Sequence, residues 1–567
     1  MRYTYSLKEP FERFACIELE INGPFEEGRL ELVLPSWRPG RYELGNFAKN
    51  IRGFTPFDQM GKVLAFKKIR KDQWLVDCQG ASKVTIRYEY YANQPDAGAC
   101  FVDHEQLYIN PVHCSFFVPG RTHESCEVVL QVPADWQVAT GLTCVDAFTF
   151  RAQDFHALVD SPFIASPNLQ HGCYTLDGIT FHIWFNGDCD PDWSRIIPDF
   201  EQFTKKQLVM MGGFPAQDFH FLVQMLPFAF YHGVEHLNST VLALGPGHAL
   251  MESGMYGELM GVASHELFHC WNVKTIRPTE MMPYDYTTEN YAETGYVYEG
   301  VTTYYGDVIL GRTGFFSVDQ LLGELGKRLQ RHMDNPGRFN HSVAASSFDT
   351  WLDGYVPGVP GRKVSIYDEG SLIAWMLDFM IRSATDSNLS LDDVMRMMYD
   401  TFGKKGIGYT EADFKSVCEQ FAGRDFDGFF NDVIHTGGTL LNLLQESISL
   451  AGLVIAEQPS PIPTENIFGL RLSGNKVAST FPGSPAAMAG LVKDDEIVAV
   501  NGNRVEGDVQ QLFAGSASCA LEVSSFGKLR TVNLEPDGKG WYAKYPIQSL
   551  HQLTASQLRF RASWLGQ

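Results

Sequence analysis

The run His265-Glu266-Leu267-Phe268-His269 sets two imidazoles four residues apart, with a carboxylate beside the first. On an α-helix, residues at that spacing lie one turn apart on one face, so both rings can bind a single zinc ion while Glu266 reaches a water held there. Apolar and small residues over 257–264 lead into the first histidine, and the pattern predicts a helix that continues to about Val273 before Pro278 ends it. A catalytic zinc site takes three protein ligands and keeps one position open. Residues 296–307 are compatible with a helix that turns Glu299 toward the histidines, and Glu289 and Glu293 compete with it on spacing alone. A five-residue pattern also arises by chance in a long chain, so the surroundings must carry part of the weight.

Those surroundings belong to a chain of 567 residues, longer than one hydrophobic core organises, which predicts roughly two to four domains. Residues 1–170 hold short alternating runs, among them CIELEI from Cys16, LELVL from Leu30 and VTIRYEYY from Val84, with Pro and Gly at the turns. That texture predicts an all-β domain closed as a β-sandwich. Residues 171–450 carry helical spacing over 255–273, 296–310, 318–332 and 371–381, which predicts a mainly helical catalytic domain. After the proline-rich stretch 459–463, strand-like segments resume, so 451–545 reads as a small third domain and 546–567 as a tail packing on the body. The whole is a multidomain α+β chain.

Composition narrows the partners. At 44% hydrophobic, 20% charged and 13% aromatic residues, the chain is expected to fold as a soluble globular protein. A net charge of -22 and a pI near 5.1 would repel a polyanion, so no nucleic-acid partner is expected. The eleven cysteines include no C-x-x-C pair and are expected to be reduced thiols rather than metal ligands. No stretch of about eighteen apolar residues predicts a membrane span, and the first residues show no basic start followed by an apolar run, which predicts a cytoplasmic protein.

Longer segments carry a resemblance. The stretch HELFHCWNVKTIRP from His265, the pair Asn290-Tyr291, YEGVTTYYGD from Tyr298, PSWRPGRY from Pro35, and Ala555-Ser556-Gln557 with Trp564-Leu565-Gly566 together resemble the glycyl aminopeptidase family of zinc metallopeptidases, grouped with the thermolysin-like peptidases. The resemblance implies one zinc ion held by His265, His269 and Glu299, and so favours Glu299 over its competitors. It implies Glu266 as the general base that takes a proton from the attacking water and passes it to the leaving amine. Action on peptides whose first residue is Gly or Ala is implied with it, and Phe268, Trp271 and Tyr304 are candidates for narrowing the pocket.

Three further elements follow from the same resemblance. Tyr367, in Tyr367-Asp368-Glu369-Gly370-Ser371, looks like the tyrosine of a Tyr-x-Lys-Gly element that donates a hydrogen bond to the developing oxyanion, although Glu369 stands where that element has lysine. Glu235, with Gly233 and His236, resembles a Gly-x-Glu-His segment in which an edge strand binds the substrate backbone and the carboxylate takes its α-ammonium. Phe468-Gly469-Leu470, followed by GSPAAMAGL from Gly483, resembles a PDZ domain, whose loop N–H groups and strand edge would take a peptide or protein C-terminus.

Overall fold

In the strand Phe14–Asn22 the alternation of FACIELEIN turns Ala15, Ile17, Leu19 and Ile21 inward. Glu18 and Glu20 stay outside, where Arg87 and Lys83 meet them. This strand pairs antiparallel with Arg2–Leu7 on one side and Lys83–Tyr91 on the other, at the centre of a seven-stranded sheet. A three-stranded sheet and a four-stranded sheet share the core behind it, which buries Tyr3, Tyr5, Trp37 and Trp74. The computed structural model describes residues 1–513 and 518–566.

The catalytic region opens with a mixed five-stranded sheet, in the order Gln170–Leu176, Ile179–Asn186, Asp218–Met225, Ser239–Gly245 and Phe230–Glu235. The last of these is an antiparallel edge strand, paired with Ser239–Gly245 only. The helices Trp193–Met211, Ser253–Phe268, Thr302–Thr313, Val318–Asp334 and Asp368–Ala384 contribute to one large core with the inner face of that sheet. Sequence texture alone suggested helices throughout this region, and the sheet at its start is a difference from that expectation.

Two helix readings also need correction. The helix expected to reach Val273 stops at Phe268. Val273 has φ +123°, a conformation a β-branched residue adopts only under constraint, and the chain folds back as Lys274 N–H donates to the His269 carbonyl at 3.0 Å. The segment expected to be one helix from 296 is instead a wide π turn over Tyr296–Val301 that passes into the α-helix Thr302–Thr313. Such an extra-wide turn re-aims the side chains on it and recurs at functional sites.

The C-terminal sheets form a separate core around Phe468, Leu470, Ile497, Leu521 and Val523. The chain enters this part through Leu453–Ile455 and leaves through Ile547–Ser549, and these two strands pair antiparallel. It then returns to the catalytic core as the helix Ala555–Leu565. There Trp564 is fully buried, stacks on Trp375 with centroids 5.7 Å apart, and donates its Nε1–H to the Tyr304 hydroxyl at 2.9 Å. The molecule is thus a multidomain α+β chain with a β-rich N-terminal part, a helical catalytic region and C-terminal sheets. Among the described residues no helix is long and apolar enough to cross a membrane.

Candidate active site

The helix Ser253–Phe268 carries His265 and Glu266, and His269 caps its end. The unwinding after it has a direct effect on His269. Its Nδ1 faces the Asn272 carbonyl at 2.7 Å, so that nitrogen carries the proton and donates, and the Nε2 lone pair is left for a metal. His265 Nε2 lies 3.0 Å from His269 Nε2, and Glu299 Oε2 lies 3.3 Å from the second and 4.0 Å from the first. Two imidazole nitrogens and one carboxylate oxygen, mutually within 4.8 Å, are a donor set that fits zinc. Glu293 is exposed and Glu289 accepts from the Thr288 hydroxyl; neither belongs to the cluster.

Close helix packing delivers Glu299. A Cβ on Gly306 would stand 3.1 Å from His265 Cβ, so the helix Thr302–Thr313 lies tightly on the histidine helix. Six residues earlier Gly300 abuts the backbone of Gly370 with no room for a side chain on either. That contact sets Glu299 and the helix Asp368–Ala384, which starts at Tyr367, against one another. Glu299 Oε1 also accepts from the hydroxyl of Tyr42, a fully buried residue 257 positions earlier in the PSWRPGRY segment, at 3.1 Å.

Sequence reasoning passed over Tyr42; the only signal was its place in a segment shared with the family. Partners that orient a metal ligand are worth about 10–100-fold in affinity. Tyr42→Phe is therefore expected to weaken zinc binding by about that factor, read by competition with a chromophoric chelator. An unchanged affinity would remove Tyr42 from this role.

Glu266 is 5% exposed and its Oε2 has no hydrogen-bond partner among the described residues. Burial pushes its carboxyl well above the usual range, with the neighbouring charges of Glu235 and Glu299 adding to the rise against the pull of His269. Glu235 ends the edge strand Phe230–Glu235, within 4.8 Å of Glu266 and His269, and its buried Oε1 is likewise unpartnered among the described residues. Gly233 lets that strand lie over the helix, because a Cβ there would collide with Glu266 and Val262. Tyr231, His232 and Gly233 line a cleft of about 1560 Å³, together with His265, Glu266, Tyr355 and Tyr367.

Tyr367 faces this cleft beside Tyr355. Burial, Glu299 and Tyr355 hold its phenol well above the ordinary range, so it remains a hydrogen-bond donor. Glu369 turns away, accepting from His332 Nδ1 at 2.9 Å while His332 Nε2 accepts from the Leu440 N–H, so the carboxylate that replaces the expected lysine is hydrogen-bonded outside the cleft. His236 is also turned aside: its Nδ1 lies 3.1 Å from Asp160, which Lys274 meets at 2.7 Å. Burial opposes ionisation of Asp160, but Lys274 and His236 outweigh it and hold the carboxyl well below the usual range.

Other candidates lie elsewhere. Phe268, Trp271 and Tyr304 are fully buried in the helical core, with Trp271 Nε1 donating to the Gly213 carbonyl and the Tyr304 hydroxyl to Asp378. They are core residues and do not wall the cleft. In the C-terminal sheet, Phe468 and Leu470 point into its core. Gly469 has φ +61°, ends the helix Pro463–Phe468, and donates its N–H to the Glu465 carbonyl at 3.1 Å.

A buried His2Glu cluster, with a free carboxylate alongside and an open cleft, on this fold defines a metallopeptidase. Two family models match the chain, the Peptidase M61 N-terminal domain over residues 2–167 and M61 glycyl aminopeptidase over residues 258–373. The chain belongs to the M61 glycyl aminopeptidase family, and that membership implies a bound metal. Its structure is similar to that of an aminopeptidase N family protein from Idiomarina loihiensis, at 27% identity and a TM-score of 0.90, covering 100% of this chain and 99% of that one. An M1 zinc metallopeptidase mutant from Deinococcus radiodurans, bound to a Tyr-Ser-Ala substrate, matches at 13% identity and a TM-score of 0.47, covering 77% and 93%. No curated protein shows a significant match.

Proposed function

We propose that this metallopeptidase is an aminopeptidase that releases small first residues, Gly or Ala, from peptides with one zinc ion. The observation that carries the reading is Glu235: a buried carboxylate with an unpartnered oxygen, at the end of an open strand edge, beside Glu266 and His269. A buried anion in that position asks for a cation, and the free α-ammonium of a substrate supplies one. Gly40 lies against the same carboxylate, where a Cβ would collide with it. The glycyl preference of the family supports the small first residue.

His265, His269 and Glu299 would hold the ion, which when bound makes water a competent nucleophile and polarises the scissile carbonyl. Glu266 takes the proton from the water that adds to the carbonyl, and returns it to the amine as the C–N bond breaks. Tyr367 donates its O–H to the oxygen that gains charge during addition. The edge strand Phe230–Glu235 offers unpaired backbone groups along which the substrate backbone can lie, ending at Glu235. For the C-terminal sheet we keep the reading of a PDZ-type module, supported by Leu470–Ser473 being an edge strand.

The test is hydrolysis of glycyl and alanyl amides beside their N-acetylated forms, with and without a chelator. Cleavage of the free-amine forms alone, lost on chelation and restored by zinc, is the expected result. Comparable cleavage of the acetylated forms would make the protein an endopeptidase.

A further inference from the structure

A second cavity, of about 410 Å³, adjoins the catalytic cleft. Arg41 and Asp96 line both spaces, so the two meet at the loop that places Gly40 against Glu235. Within the second cavity lies Arg38, a guanidinium only 4% exposed. It lies so flat on Gly98 that a Cβ there would overlap it, and Nη1 donates to the Pro39 carbonyl at 3.2 Å. Arg38 forms no ion pair among the described residues, whereas its neighbour Arg41 is paired with Glu43. The carboxylate of Asp96 is engaged by the Gln94 side-chain amide and the Gly98 N–H.

A second group in the same cavity is also unmet. Asn50 donates to the Tyr90 hydroxyl at 3.0 Å, which leaves that hydroxyl to donate to His113 Nδ1 at 3.4 Å. The proton on the His113 ring then sits on Nε2, which is buried without a hydrogen-bond partner among the described residues. A guanidinium is always charged, so a buried one that forms no ion pair, beside the His113 ring, marks a place for an anion even with Asp96 and Glu43 on the same cavity wall. The cavity meets the cleft at Arg41, next in the chain to Gly40, which lies against Glu235, the proposed anchor for the substrate's α-ammonium, and the side chain of the first residue leaves from the carbon that bears that ammonium.

We propose that this cavity is the subsite for the side chain of the substrate's first residue, where Arg38 and His113 bind a carboxylate, so that peptides beginning with Asp or Glu are cleaved as well as those beginning with Gly or Ala. The inference rests on the aminopeptidase reading and deepens it. Small first residues leave the cavity to water, while an acidic one fills it. The overall charge of -22 works against an acidic substrate, so a preference for one has to come from a local cationic group.

The experiment compares kcat/KM for glutamyl, glutaminyl and alanyl amides on the zinc-loaded full chain. Glutamyl is expected to exceed the isosteric glutaminyl amide by about tenfold or more, the scale of a charge-assisted hydrogen bond. Arg38→Met is expected to bring that ratio close to unity, Arg38→Lys to keep part of it, and Gly98→Ala, which pushes the guanidinium aside, to lower it. If the alanyl amide is cleaved but the unaltered protein shows no glutamyl preference, or Arg38→Met leaves the ratio where it was, the subsite assignment is wrong. If no free-amine amide is cleaved at all, the aminopeptidase reading fails and this inference falls with it.

Discussion

Replacing Glu266 with Gln is expected to lower kcat on alanyl amide by about 10²–10⁴-fold, the usual contribution of a positioned general base, while the protein still binds zinc. Gln keeps the shape and length of Glu but cannot accept and return a proton. None of the donors His265, His269 and Glu299 is altered, although Glu266 also forms a close group with Glu235 and His269. Burial and the neighbouring carboxylates raise the Glu266 carboxyl, so removing that charge relieves repulsion and is expected to leave the fold intact. The measurement is kcat together with zinc content by elemental analysis. Retained turnover with zinc present would sink Glu266 as the base, and loss of zinc along with turnover would point to a structural role.

The second large effect is expected at Glu235. Truncating one partner of a buried charge pair costs about 2–5 kcal/mol, so Glu235→Ala is expected to reduce kcat/KM on free-amine amides by about 30-fold to several thousandfold. Any residual cleavage of acetylated peptides is expected to change far less, since they bring no ammonium to the site. The informative quantity is the ratio of the two losses. Equal losses would mean that Glu235 supports the metal cluster rather than the substrate amine. The neighbouring Asp160 is already engaged by Lys274 and His236, so it does not replace the lost carboxylate.

The metal pair was readable because its information is local: four residues of helix place His265 and His269 on one face, whatever the rest of the chain does. Glu299 was less so. Its distance from the histidines depends on Gly306 lying on His265 and Gly300 on Gly370, contacts that no periodicity encodes, and family likeness was needed to prefer it. Tyr42 reaches the site from the β-rich part, more than two hundred residues earlier, and only the folded chain brings it there.

The strands Asp218–Met225 and Ser239–Gly245 were missed for a different reason. Both are buried almost throughout, His220 and Gln224 included, so burial does not follow an alternation of apolar and polar residues. The N-terminal strand Phe14–Asn22 kept its alternation because its glutamates remain outside. The end of the histidine helix was overestimated because Val273 has no sequence signature for a positive φ; only the need to bring the Asn272 carbonyl to His269 explains it.

The return of Trp564 to the helical core has a consequence for synthesis of the chain. A ribosome makes the C-terminal sheet before it makes the helix Ala555–Leu565, yet that helix fills the space against Trp375 and Tyr304 in the body that bears His265, His269 and Glu299. Until that helix is made, the space beside Trp375 and Tyr304 has nothing to fill it.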